Sequence, residues 1–193
     1  MNYLAHIYLS YNQPEIQIGN FIADSVKGLS YQNYPLKIQK GILLHRQIDS
    51  FTDQHQTIKD SKRIFSAYGH YSGVINDIVF DHFLAKNWDQ YHKTSLIVFS
   101  NDFYELLKNN MDSLPDRVQQ FYPVMKKYNW LYKYRSIAGI SDILYQMNIR
   151  TRNISKMNYS VIELVENYEF LENQFYSFFK ELEKFVLNKI DTN

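Results

Sequence analysis

The chain contains no cysteine. That excludes a disulfide framework, a thiolate zinc site and a cysteine nucleophile. It also has no run of about eighteen apolar residues, so no transmembrane helix is expected. Residues 1–10 lack the basic stretch and long apolar core of a signal peptide. These absences predict a soluble, cytoplasmic protein with no membrane partner. Formal net charge is only +1, which gives no global drive toward nucleic acid. Several catalytic signatures are missing as well. There is no His-Glu-x-x-His of the zinc proteases, no Glu-x-x-His of the di-iron bundles, no Walker loop and no Gly-x-Gly-x-x-Gly. Histidine is absent from the whole of 93–193.

What is present reads as helix. At 193 residues, with 45% hydrophobic and 21% charged residues, the chain is long enough to bury a substantial core. Pro14 opens a segment carrying Ile18, Phe21, Ile22 and Val26, and Gly28 follows as a stop signal. Pro35 opens the next, with Leu36, Ile38, Ile42, Leu43 and Ile48 at three- and four-residue spacings. Further helices are expected at 57–68, 74–88 and 96–111. Another starts at Pro115 and either ends near Pro123 or continues through it with a kink. Val161, Leu164, Tyr168, Leu171, Phe175, Phe178, Leu182 and Phe185 form one apolar stripe on a long last helix. A coiled-coil dimer would use the same spacing, but rings this bulky favour packing within the domain. The run 95–99 alone looks strand-like. The 17 tyrosines and 13 phenylalanines suit a bundle core better than a dedicated aromatic ligand box. The expectation is a single all-α domain over 1–193, a helical bundle with a long C-terminal helix. Any metal site would lie within 1–92, and the C-terminal half would serve packing and partner docking.

All six histidines fall within 1–92, and most have an aspartate nearby. Imidazole and carboxylate are the ligand types of hard and borderline metals. His45 and Asp49 are four residues apart and share a helix face, with Asp53 one turn further on. Asp77 and Asp81 share a face of another helix, and His82 points about 100° away. Helices bearing His6, Asp24, His45 and Asp81 could therefore converge on one cavity. Each piece also has a plainer explanation. A lone His-x-x-x-Asp is commonly an ion pair, and Asp24, among apolar neighbours, would be paired with Lys27 or Arg46. His55, His70 and His92 fit no such pattern and read as surface residues.

The blocks Met1-Asn2-Tyr3-Leu4-Ala5-His6, Gly19-Asn20-Phe21-Ile22-Ala23-Asp24, Gly41-Ile42-Leu43-Leu44-His45-Arg46-Gln47-Ile48-Asp49 with Thr52-Asp53, and Asp81-His82-Phe83-Leu84-Ala85-Lys86-Asn87-Trp88 resemble the acyl carrier protein phosphodiesterases. Tyr134-Arg135 and the helix after it resemble them too. The resemblance implies a hydrolase that removes the 4′-phosphopantetheine arm from holo-acyl carrier protein. It also implies a preference for manganese and a distant kinship with the HD phosphohydrolases, although this chain carries Asp81-His82 and no His-Asp pair.

On that reading His6, Asp24, His45 and Asp81 are the expected metal ligands, with His82 and Asp49 next. Arg46 is expected to hold phosphate oxygens. Asp49 or His82 would carry the proton, and Asp24 is taken as essential to catalysis. The carrier partner is small and acidic. The basic and aromatic stretch 126–135, through Lys126, Lys127, Lys133 and Arg135 with Arg150 and Arg152 beyond, would steer it. The same stretch also fits a solvated helix face, and no RNA-binding module surrounds it. A metal phosphohydrolase acting on a nucleotide or small phosphate ester, and a helical binding protein without chemistry, are the competing readings. Nothing in the sequence sets the oligomeric state.

Overall fold

The computed structural model describes residues 1–191. Among these the chain forms eleven α-helices joined by short 3₁₀ turns, with no strand. They are α1 (Tyr3–Tyr8), α2 (Pro14–Ile22), α3 (Leu36–Gln54), α4 (Gln56–Ile64), α5 (Ser72–Lys86), α6 (Leu96–Asn109), α7 (Asp116–Lys127), α8 (Trp130–Lys133), α9 (Ile137–Arg150), α10 (Val161–Glu166) and α11 (Tyr168–Asp191). The all-α expectation holds. No helix among the described residues is long and apolar enough to cross a membrane.

The strand-like run 95–99 is the start of α6, with Ser95 outside its first turn and Leu96 and Phe99 buried. Pro123 does not end α7, which runs on to Lys127. The long C-terminal helix is interrupted. Asn167 leaves the helix after Glu166, its side chain donating to the Glu163 carbonyl, and α11 restarts at Tyr168. The stripe survives the break. Leu164, Leu171, Phe175, Phe178 and Leu182 are all buried, and α11 packs on α3, α4 and α5 of the same chain. Its rings meet those of α5, with Phe80 and Phe175 edge to face at 5.9 Å. The aromatic residues thus build the core.

The segment that matters for function is the crossing of α2 and α3. Gly19 and Gly41 face each other there, and a Cβ on Gly19 would lie 2.1 Å from the Ile38 carbonyl oxygen. One on Gly41 would lie 2.4 Å from the Ile16 oxygen. The two backbones touch, which only glycine permits. The contact brings the next residue of α2, Asn20, against His45 one turn along α3. Gly19→Ala is therefore expected to destabilise the fold by about 3 kcal/mol, the upper end of the usual overpacking cost. Urea unfolding would show it as a lower midpoint, and an unchanged midpoint would contradict the contact.

Candidate metal centre

Three side chains meet where α1, α2 and α3 converge. His6 comes from α1, and His45 and Asp49 from successive turns of α3. Both imidazoles are buried and stack at 4.0 Å between centroids. The buried Asn20 orients both. Its amide nitrogen donates to the His6 carbonyl at 2.8 Å and to Ser10 Oγ at 3.1 Å, so its oxygen faces His6 Nδ1 at 2.8 Å. Its backbone carbonyl accepts from His45 Nδ1 at 2.8 Å. Both rings are thereby fixed as Nδ1–H donors, and both Nε2 atoms turn toward Asp49. His6 Nε2 lies 3.4 Å from one Asp49 oxygen and His45 Nε2 3.1 Å from the other. Asp24 adds a fourth group, its oxygen 3.3 Å from His45 Nε2.

The donor set fits a divalent metal. One ligand atom each from His6, His45 and Asp49 lies within 4.8 Å of the other two. His6 Nε2 is buried and makes no hydrogen bond, an otherwise costly arrangement for a polar atom. A metal-binding histidine characteristically donates its other nitrogen to a carbonyl, as both do here. The cavity around them, of about 200 Å³, is also lined by Asp53, Thr52 and Asp77. Asp77 pairs with the Met1 ammonium at 2.9 Å.

In the metal-free site the two histidines titrate in opposite directions. Burial and the neighbouring His45 push His6 down to about 4. Burial also opposes charge on His45, but the hydrogen bonds and charges of Asp24 and Asp49 prevail and push it up to about 9. Despite its burial, the hydrogen bond from His45 and the nearness of the His6 imidazole hold Asp49 far below the usual carboxylate range. The His45 bond holds Asp24 down as well. The lowered His6 contributes stability that is present above pH 6.5 and lost as pH falls through about 4. The raised His45 contributes stability that is present below pH 6.5 and lost as pH rises through about 9. Melting of the EDTA-treated protein is expected to be highest near pH 6.5 and to decline toward pH 9. The rise in melting temperature on adding Mn²⁺ should grow over the same range, because the proton displaced from His45 then costs less. A Mn²⁺ effect independent of pH would contradict a ligand role for His45.

Asp24 is not the buried carboxylate its neighbours suggest. It sits on a 3₁₀ turn, its side chain is 70% exposed at the rim, and its partner is His45 in place of Lys27 or Arg46. Asp81 does not reach the cluster. It is wholly buried, and its two oxygens accept from the backbone N–H groups of Asn2, Leu4 and Ala5 at 3.2, 2.7 and 3.3 Å. It caps α1, whose first N–H groups have no partners inside the helix. His82 is on another face of α5, bonded to the Tyr134 carbonyl at 2.7 Å and the Tyr168 hydroxyl at 2.8 Å, away from the site. Arg46 donates to the carbonyls of Val26 at 3.1 Å and Gly28 at 2.9 Å, bracing the turn that follows Asp24. It does not line the cavity.

The basic stretch 126–135 is partly neutralised. Lys126 pairs with Glu105 and Lys133 with Asp142, each at 2.5 Å, while Arg135 bonds the Tyr132 hydroxyl. Lys127 and Arg135 have no carboxylate partner among the described residues. His55 caps α4 and pairs with Glu181 at 3.2 Å, so it has a structural use.

A family model described as acyl carrier protein phosphodiesterase matches residues 1–182. Among similar proteins, the acyl carrier protein phosphodiesterase of Yersinia pestis is 31% identical over 181 residues, 93% of this chain and 94% of its own length. That of Photorhabdus laumondii is 29% identical over 191 residues, covering 98% of this chain and 96% of the relative. No solved structure matches the chain. The match spans all four centre residues and both helix-crossing glycines, and the chain belongs to the acyl carrier protein phosphodiesterase family.

Proposed function

We propose that this chain is a cytoplasmic, metal-dependent phosphodiesterase that hydrolyses holo-acyl carrier protein to apo-carrier and 4′-phosphopantetheine. The observation that carries the metal reading is His6 Nε2, buried without a hydrogen bond and facing Asp49 beside His45. His6, His45 and Asp49 would hold the ion, with Asp24 at its open side. Mn²⁺ suits this mixed imidazole and carboxylate set. When bound, a divalent cation neutralises charge on the phosphoryl oxygens and lowers the pKa of water.

The protein's own groups supply the rest. Asn20 keeps both imidazoles in the tautomer that presents Nε2, so neither ring must reorganise. Asp24 stays ionised beside His45 and is exposed, which suits it to accept a proton from the attacking water. The water oxygen bonds to phosphorus and the bond from phosphorus to the carrier's serine oxygen breaks. That oxygen leaves with one proton, so the net transfer is from water to serine. The diester's phosphate carries negative charge, which the cluster of Asp24, Asp49, Asp53 and Asp77 would repel without a cation.

Incubation with holo-carrier and Mn²⁺, read by intact mass of the carrier, tests the proposal. The expected result is loss of the phosphopantetheine mass, stopped by EDTA. An unchanged carrier with Mn²⁺ bound would overturn it. Turnover of a nucleotide or a small phosphate ester in its place would favour the competing hydrolase reading.

A further inference from the structure

The metal-site cavity does not end at Asp24. It shares Met1, Asn2, Tyr3, Asp24 and Asp77 with a second cavity of about 250 Å³, built by the C-terminal half. The far wall differs in chemistry. Trp130, Ile143 and Met147 give it an apolar surface, and Arg117 of α7 and Arg150 of α9 stand at its edge. Neither arginine makes an ion pair with any described residue. The Arg150 guanidinium lies 4.7 Å from the centre of the Trp130 ring. The Trp130 indole N–H is itself buried with no acceptor. The phenol of Tyr3, on the shared wall, is within electrostatic reach of Asp24, Arg117 and Arg150 alike. Two unpaired guanidinium groups, an orphan donor and an apolar wall thus adjoin a carboxylate-rich centre, and the proposed hydrolysis has so far used none of them.

We infer that this second cavity binds the phosphopantetheine half of the diester, with Arg117 and Arg150 on its phosphate oxygens and the arm along Trp130, Ile143 and Met147. The inference rests on the proposed function. When the serine–phosphorus bond breaks, the phosphorus keeps the arm. The other half is a folded protein that cannot enter 250 Å³, so only the arm fits inside while the carrier stays at the mouth. Guanidinium is the side chain best matched to phosphate oxygens. The arm is an uncharged chain with methyl groups, two amides and a thiol. It suits an apolar wall that offers one unsatisfied N–H from Trp130 and the amide of Gln146.

Calorimetric titration of 4′-phosphopantetheine, pantetheine and inorganic phosphate into wild type, Arg117→Gln, Arg150→Gln and Trp130→Phe tests the site. Both arginines are exposed, so these variants should melt like the wild type. Each arginine variant is expected to weaken 4′-phosphopantetheine about tenfold or more, and kcat/KM for holo-carrier should fall by a similar factor. Pantetheine binding should be insensitive to the arginines and weakened by Trp130→Phe. Unchanged 4′-phosphopantetheine affinity in both arginine variants would overturn the inference, as would inorganic phosphate binding as tightly as 4′-phosphopantetheine. If the wild type binds 4′-phosphopantetheine through the arginines but leaves holo-carrier intact, the site stands and the proposed activity fails. If it cleaves holo-carrier and neither arginine matters, the activity stands and the site fails.

Discussion

Asp49→Asn is expected to lower kcat/KM for holo-carrier by about a thousandfold or more, the equivalent of about 4 kcal/mol in the barrier. The substitution changes almost nothing but charge. Asp49 is half-exposed on the inner face of α3, so an amide of the same shape keeps the helix intact. It nonetheless removes the carboxylate that lies nearest to both Nε2 atoms, at 3.4 and 3.1 Å. With only the exposed Asp24 carboxylate left beside His45, the two stacked imidazoles would hold a dication with one anion fewer, and metal affinity should fall with activity. The apo-protein should show a second effect. Because Asp49 is one of the two anions that keep His45 protonated, the alkaline decline in stability should begin at lower pH in the variant. Metal content, melting temperature and turnover together check the assignment. A variant that still binds Mn²⁺ stoichiometrically at wild-type affinity would remove Asp49 from the ligand set.

Asp81→Ala is expected to act on stability instead, by about 4 kcal/mol, or roughly 10 °C in melting temperature for a chain of this size. Three backbone N–H groups at the start of α1 would lose their buried carboxylate acceptor. Since α1 carries His6, loosening its first turn also loosens one of the imidazoles. The milder Asp81→Asn separates the two effects. It keeps one oxygen as an acceptor, and where it remains folded it should still take up Mn²⁺ like the wild type. A folded Asp81→Asn protein that bound no metal would restore Asp81 as a ligand. Asp49 and Asp81 thus divide the work between holding the ion and holding the helix that delivers His6.

The division was only partly legible in the sequence. Helical spacing places His45 and Asp49 on one face of α3, and the structure keeps them there. Spacing within a helix cannot tell whether a neighbouring helix offers its side or its end. That is why Asp81 reads as a ligand: its carboxylate faces the N-terminus of α1, where orphan N–H groups claim it. His82 and Arg46 lie outside the cluster for a related reason. Each meets backbone carbonyls from segments distant in sequence, Tyr134 in one case and Val26 with Gly28 in the other. Asn20 was within reach of the reading. A polar amide among Ile16, Ile18, Phe21 and Ile22 must find partners if that face is buried, and both site histidines turn out to be among them. The break at Asn167 left no trace in the apolar stripe, because a short interruption preserves the three- and four-residue phase. The Arg117 and Arg150 cavity draws on three helices of the histidine-free half, and no local pattern joins them.

The most direct test is to titrate Mn²⁺ into metal-free protein while following release of 4′-phosphopantetheine from holo-carrier. The account predicts no release without metal, a rate that saturates as one ion binds per chain, and no recovery in Asp49→Asn at the same Mn²⁺ concentrations. Release at the full rate by EDTA-dialysed protein, or an Asp49→Asn titration that overlays the wild type, would contradict it.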